Sequence, residues 1–144
     1  MGWRRYTAMA ATTVAVVAAT LAPAEAAMAV SCGIVCDGVD PNQARYENAD
    51  GAMVRCGGFK TIYRKDLGLG GVIELRYSTQ CRMAWGRGPS GVGFSIEGWN
   101  STGTAMRVRY PKPEMGTYTP AVNDAGLKAR VCLFDPPNAC TDMW

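Results

Sequence analysis

Val72-Ile73-Glu74-Leu75-Arg76-Tyr77-Ser78 alternates apolar and polar residues with a period of two. Successive side chains of an extended strand point to opposite faces, so Ile73, Leu75 and Tyr77 share one face and Glu74, Arg76 and Ser78 the other. The next run repeats the pattern, with Cys81, Met83 and Trp85 opposed to Arg82 and Ala84. Upstream, residues 59–64 read as a strand joined to this one by Asp66-Leu67-Gly68-Leu69-Gly70-Gly71, a glycine-rich hairpin loop. Downstream, Gly88-Pro89-Ser90-Gly91 turns the chain, and Val92, Phe94 and Ile96 form the next inward set. Met106, Val108 and Tyr110 then alternate with Arg107 and Arg109, and Leu127, Ala129, Val131 and Leu133 with Lys128, Arg130 and Cys132. Short strands between Gly/Pro turns predict an all-β fold, a small disulfide-stapled antiparallel β-sandwich or barrel.

The front of the chain reads as an export signal. Arg4 and Arg5 form a positive n-region, residues 7–22 carry no charge, and Pro23 ends the apolar run. Ala24-Glu25-Ala26 and Ala27-Met28-Ala29 both satisfy the small-x-small rule for signal peptidase. The run is shorter than the ~20 residues a membrane span needs. Residues 1–26 are therefore read as a cleaved signal peptide, with cleavage as late as 29 as the second position. Residues 27–144 are read as one secreted, β-rich domain, extracellular and without a membrane anchor after cleavage.

Removing Arg4, Arg5 and Glu25 reduces 15 basic and 12 acidic residues to 13 and 11, a net charge of +2. That balance does not point to nucleic acid. The six cysteines, Cys32, Cys36, Cys56, Cys81, Cys132 and Cys140, read as a disulfide framework in an exported chain. Six cysteines allow about 15 connectivities. Cys132–Cys140 is the expected pair, because Asp135-Pro136-Pro137-Asn138 between them is strong turn chemistry. The other bridges are then expected to tie the N-terminal segment to the central strands. A thiolate metal site is the alternative, but Cys32-x3-Cys36 has no second close pair or histidine to complete it, so no metal or other cofactor is expected.

Residues 30–51 read as an irregular, pinned segment rich in turn residues. A short helix over 42–48 is expected, capped by Asp40 with Pro41 at its first position. The Asp-rich stretch lacks the ligand spacing and closing Glu of a calcium loop.

Glu74-Leu75-Arg76-Tyr77-Ser78, followed by Cys81, Trp85 and Arg87, resembles the signature of the YjfA-like family. This is a group of small secreted proteins of actinobacteria and bacilli with a domain of unknown function. The family tends to read ELRYS, two residues, Cys, then Trp-x-Arg. Cys36-Asp37-Gly38-Val39-Asp40-Pro41, Tyr118-Thr119-Pro120 and Cys140-Thr141-Asp142-Met143-Trp144 also match. One departure stands out: relatives usually place a cysteine shortly after Asp-Pro, where this chain has Ala44, Arg45 and Tyr46. Its third cysteine is Cys56 instead, so a pairing is not carried over. The resemblance implies no catalytic residue. It carries a looser association with connector subunits of secreted antibacterial toxin particles, in which a small protein joins a lectin-like subunit to a larger chain.

The chain has no histidine, which excludes Ser-His and Cys-His nucleophile systems. Paired-acid chemistry would have to draw on Glu74, Glu97, Glu114 and Asp124, and nothing singles out two of them. The chain is therefore read as non-enzymatic. The leading expectation is a protein-interaction module, an adaptor or accessory subunit whose partner is another secreted protein. Its segment from Val30 to Asn42 is a candidate for strand addition. The alternatives are a carbohydrate- or cell-wall-binding module and a secreted hydrolase inhibitor. Trp99 and Asn100, read as part of a loop, and the basic Arg107 and Arg109 are the candidate binding residues. Glu74 and Arg76 read as a surface pair, or as a half-buried pair that sets register.

Overall fold

The alternating runs pair as antiparallel strands. The computed structural model describes residues 32–68, 70–137 and 139–144. The signal expected over 1–26, and Val30 and Ser31, lie outside them. The strands are β1 (Arg45–Glu47), β2 (Met53–Arg55), β3 (Phe59–Gly68), β4 (Gly71–Ser78), β5 (Met83–Arg87), β6 (Phe94–Trp99), β7 (Met106–Pro111), β8 (Val122–Asn123) and β9 (Lys128–Leu133). The only helical element among the described residues is a 3-10 helix, Gly33–Cys36. No described helix is long and apolar enough to cross a membrane.

Three sheets form: β3-β4-β5-β8, β7-β6-β9 and the hairpin β1-β2. The two larger sheets face each other across a core of Ile73, Leu75, Ala84, Phe94, Ile96, Val122, Ala129, Val131 and Leu133. No strand ladder joins them, so the fold is a sandwich and not a barrel. They approach closely at Gly86, where an added Cβ would lie 3.1 Å from Val131 Cγ2 and 3.2 Å from Phe94 Cε2. The C-terminal tail covers the β9 edge: Thr141 N donates to Val131 O at 2.8 Å, and Ala129 and Trp144 exchange two bonds at 3.0–3.1 Å. Pairing the edge in this way removes a template for association with another chain.

The register corrects one face assignment. Tyr77 stands opposite Ala84 and Arg76 opposite Trp85. Ala84 therefore joins Ile73 and Leu75 in the main core, whereas Met83 and Trp85 lie on the other face of the sheet. They are buried there by a second cluster with Cys32, Cys36, Ala44, Cys56, Cys81 and Ala121. Residues 83–86 of β5 are apolar and buried on both faces, and Arg87 at its end is exposed. Met106, on the strand whose apolar residues alternate with Arg107 and Arg109, is exposed.

The disulfides are Cys32–Cys36, Cys56–Cys81 and Cys132–Cys140. The last is the pair expected from the turn between them. Cys56–Cys81 ties the end of β2 to the turn before β5. Cys32–Cys36 corrects the expectation of a long-range tie, since it closes only its own 3-10 turn. Backbone bonds dock that turn instead: Cys32 N donates to Cys81 O at 3.1 Å, and Gly38 N to Ala121 O at 2.9 Å. Ala121 N returns a bond to Val39 O at 2.8 Å. The described part of the segment expected to add to a partner's sheet is thus already bound to its own.

Two local expectations also change. The helix expected over 42–48 does not form: residues 41–43 make a turn, with Asn42 N on Asp40 Oδ1 at 2.8 Å and Ala44 N on Asp40 O at 3.0 Å. Residues 45–47 leave it to pair with β2. The glycine-rich loop is shorter than expected, because β3 runs on to Gly68, which pairs with Gly71. Gly68 and Gly70 take φ of 74° and 79°, the left-handed region that favours glycine.

Candidate functional site

The period-two pattern of β4 sends Leu75 and Tyr77 inward and Glu74 and Arg76 outward. The ladder to β5 then sets Arg76 beside Trp85 and Glu74 beside Arg87. Four signature residues thereby meet on the outer face of the first sheet. The other members hold the scaffold. Ser78 Oγ donates to Gly57 O at 2.6 Å and accepts from Cys81 N at 3.2 Å, which positions the Cys56–Cys81 bridge.

Distant segments wall this row. Residues 117–119 lie along β5: Gly88 N donates to Thr117 O at 2.8 Å, Thr119 N to Gly86 O at 2.9 Å, and Arg87 bridges to Tyr118. Phe59, at the start of β3, sets its ring edge-on to Trp85 at 5.1 Å between centroids. Together Asn42, Phe59, Arg76, Trp85, Arg87, Thr117 and Tyr118 line a cleft of about 260 Å³. A second depression of about 460 Å³, lined in part by Arg64, Glu74, Arg87 and Thr117, continues it.

The charges are unevenly paired. Glu74, whose side chain is 13% exposed, meets Arg64 Nη2 at 3.2 Å and Arg76 Nη1 at 3.4 Å. Arg76 Nη1 also donates to Thr61 Oγ1 at 3.0 Å, while its buried Nε has no acceptor among the described residues. The half-buried reading of this pair is the correct one. Arg87 has no acidic partner among the described residues.

A family model described as "Protein of unknown function (DUF2690)" matches residues 34–132. The chain belongs to this family. Neither a curated protein nor a solved structure matches the chain. The matched DUF2690 segment contains every lining residue of the cleft, all nine strands except the last residue of β9, and four of the six cysteines.

The remaining candidate residues of this DUF2690 domain lie elsewhere. Trp99 is the last residue of β6 and not part of a loop. Its Nε1 donates to Glu97 Oε2 at 3.2 Å, and Arg130 stacks over its ring at 4.7 Å. Glu97 is flanked by Arg109 and Arg130 on the two neighbouring strands, at 3.7 and 2.8 Å. Asn100 Oδ1 accepts from Thr104 N at 2.9 Å and Ala105 N at 3.3 Å, holding the β6–β7 turn. Arg107 and Arg109 do not share a patch. Beyond a register shift at Gly98/Trp99, Arg107 reaches Asp37 at 2.9 Å, whereas Arg109 reaches Ser95 Oγ at 2.9 Å.

The four carboxylates considered for paired-acid chemistry are dispersed, with Glu74 and Glu97 on the outer faces of opposite sheets. Asp124 is buried, and neither carboxylate oxygen has a hydrogen-bond partner among the described residues. Burial pushes its pKa from 3.8 up to about 7, against the lowering pull of Arg82 and Lys128. Among the described residues, no three His, Cys, Asp or Glu side chains gather as a metal site. Phe59, Tyr118 and Asn42 were not legible as site residues. The resemblance includes Tyr118 but gives it no role, and no local pattern puts the three together, because they reach the cleft only through long-range packing.

Proposed function

We propose that the protein is a secreted, non-enzymatic protein-interaction module, an adaptor or accessory subunit of an extracellular complex. One observation carries this reading: Arg76, Trp85 and Arg87 line a single open cleft with Tyr118 and the 42% exposed Phe59. Trp, Tyr and Arg are the residue types that dominate protein–protein hot spots. Secretion is supported by three disulfides, which persist in oxidising compartments, and by the charged-then-apolar N-terminal run. The resemblance to the YjfA-like proteins of actinobacteria and bacilli supports another secreted chain as partner, with a connector role in a toxin particle as one form of it.

The test is native purification from spent medium followed by mass spectrometry. The expected result is a second secreted chain at fixed stoichiometry, lost in Arg87→Glu with folding intact. Recovery of free monomer alone under every growth condition would sink the reading.

A second reading, a hydrolase inhibitor, is favoured by the ring that Cys32–Cys36 closes. It presents Ile34 and Val35, 79% and 75% exposed, on a docked 3-10 turn. A preorganised apolar loop loses little entropy on binding. Unchanged rates across a panel of extracellular proteases would remove this reading.

A further inference from the structure

We infer that the cleft beside Trp85 is a carboxylate-binding site, filled by the free chain end of a partner polypeptide whose last residue is apolar. This deepens the protein-binding reading and rests on it.

Charge comes first. Arg64, Arg76 and Arg87 face one acid, Glu74, which is already shared between the first two. Arg87 has no ion-pair partner among the described residues, and it lines both depressions. Guanidinium recognises carboxylate through paired N–H donors. Glu74 in the same row repels additional negative charge, which favours a monoanion over a phosphate dianion.

Preorganisation comes second. Arg76 is held by Thr61 Oγ1 and Glu74, so its guanidinium is oriented before any ligand arrives. The pleat places Trp85 directly opposite Arg76 and Arg87 opposite Glu74, so an indole and a cation follow one another along the cleft.

Shape comes third. Phe59, Trp85 and Tyr118 supply apolar walls beside the arginines, and about 260 Å³ suits one side chain with its carboxylate. The shared Arg87 and Thr117 lead into the second depression, which gives the preceding residues of a peptide a path. An acid group next to an apolar side chain, at the end of a chain, has this combination of charge and shape.

The test titrates the 15N-labelled mature protein with four probes: N-acetyl-Gly-Phe as the free acid, the same peptide as its amide, N-acetyl-Glu-Phe-amide, and glucuronate. The free acid should move the Trp85 indole N–H and the Arg87 amide saturably. The amide should bind about tenfold more weakly or worse, a difference of one decade in Kd. Arg87→Gln, an exposed position whose change leaves the fold intact, should weaken the free acid to the same degree, and added salt should weaken it in wild type. Equal binding of acid and amide overturns the carboxylate assignment. Equal binding of the side-chain acid overturns the chain-end assignment. Perturbation by glucuronate alone makes the site a sugar-acid site and overturns the peptide. If acid and amide bind alike while a secreted partner is still recovered at fixed stoichiometry, this inference fails and the protein-binding reading stands. If the acid binds selectively and no partner is ever recovered, the carboxylate site stands and the partner polypeptide is overturned.

Discussion

Arg107 Nη2 lies 2.9 Å from Asp37 Oδ2, joining two residues 70 positions apart. The other Asp37 oxygen, Oδ1, accepts from Asn123 N at 2.7 Å. One half-buried carboxylate thus clamps the N-terminal segment to both large sheets. Asp37→Ala would leave a guanidinium and a backbone N–H without their acceptor. The expected cost is about 2–3 kcal/mol, below the full penalty of a deeply buried broken pair because both side chains touch solvent. Urea denaturation should show a lower midpoint at an unchanged slope. Asp37→Asn, which keeps an acceptor, should lose less.

Asp124 makes stability depend on pH. Its folded-state pKa of about 7 lies above the ordinary 3.8, so the native state holds its proton more tightly than the unfolded chain does. Its contribution is therefore favourable at low pH and is lost as pH rises from about 4 through 7. Asp124→Asn should flatten the stability profile over that window and raise stability at pH 8 by about 2–4 kcal/mol. Chemical denaturation at a series of pH values reads both. An unchanged slope in the variant would assign the dependence to other groups.

The bridges should differ in worth. Loop-closure entropy grows with the length of chain enclosed, and the separations are 25, 8 and 4 residues. Replacing Cys56 and Cys81 together by alanine should cost about 3.5 kcal/mol, against about 2.5 for Cys132/Cys140 and about 2 for Cys32/Cys36. Thermal melts of the three double variants test the order.

Lys112 substitutes an ammonium for a network of backbone donors. Four carbonyl oxygens, of Ser90, Pro113, Glu114 and Gly116, lie 2.9–3.1 Å from its Nζ and share its three N–H donors, and the ammonium sits 5.7 Å over the Phe94 ring. Lys112→Met keeps the stem and takes the ammonium away from four carbonyls, of which Pro113 O still accepts from Gly116 N. A loss of about 2–4 kcal/mol is expected. Faster hydrogen exchange at the Gly116 amide, which bonds to Pro113 O, should accompany it.

The strands were legible because alternation is a local property of extended chain. Ile73 and Leu75, Phe94 and Ile96, and Ala129 and Val131 fall in the core as their spacing requires. The same rule rightly set Met83 and Trp85 opposite Ala84 and made them buried, but it could not show that Ala84 is buried as well, because alternation says which residues share a face and not what covers it. Both faces of β5 are buried, one by the opposing sheet and one by the disulfide cluster. The helix expected over 42–48 failed for a related reason: pairing with β2 outweighed a capped helix start too short to sustain itself.

The sequence by itself determined the all-β class, the Cys132–Cys140 pair and the shared face of Glu74 and Arg76, since each depends on neighbours a few residues away. Only the tertiary structure decided that the sheets remain open, that Cys32 pairs with Cys36, and that Arg107 and Arg109 part company at a bulge. It alone brought Asn42, Phe59 and Tyr118 to the row formed by Arg76, Trp85 and Arg87. Strand order and register are non-local, and a cleft walled by four separate stretches of chain exists only once they are set.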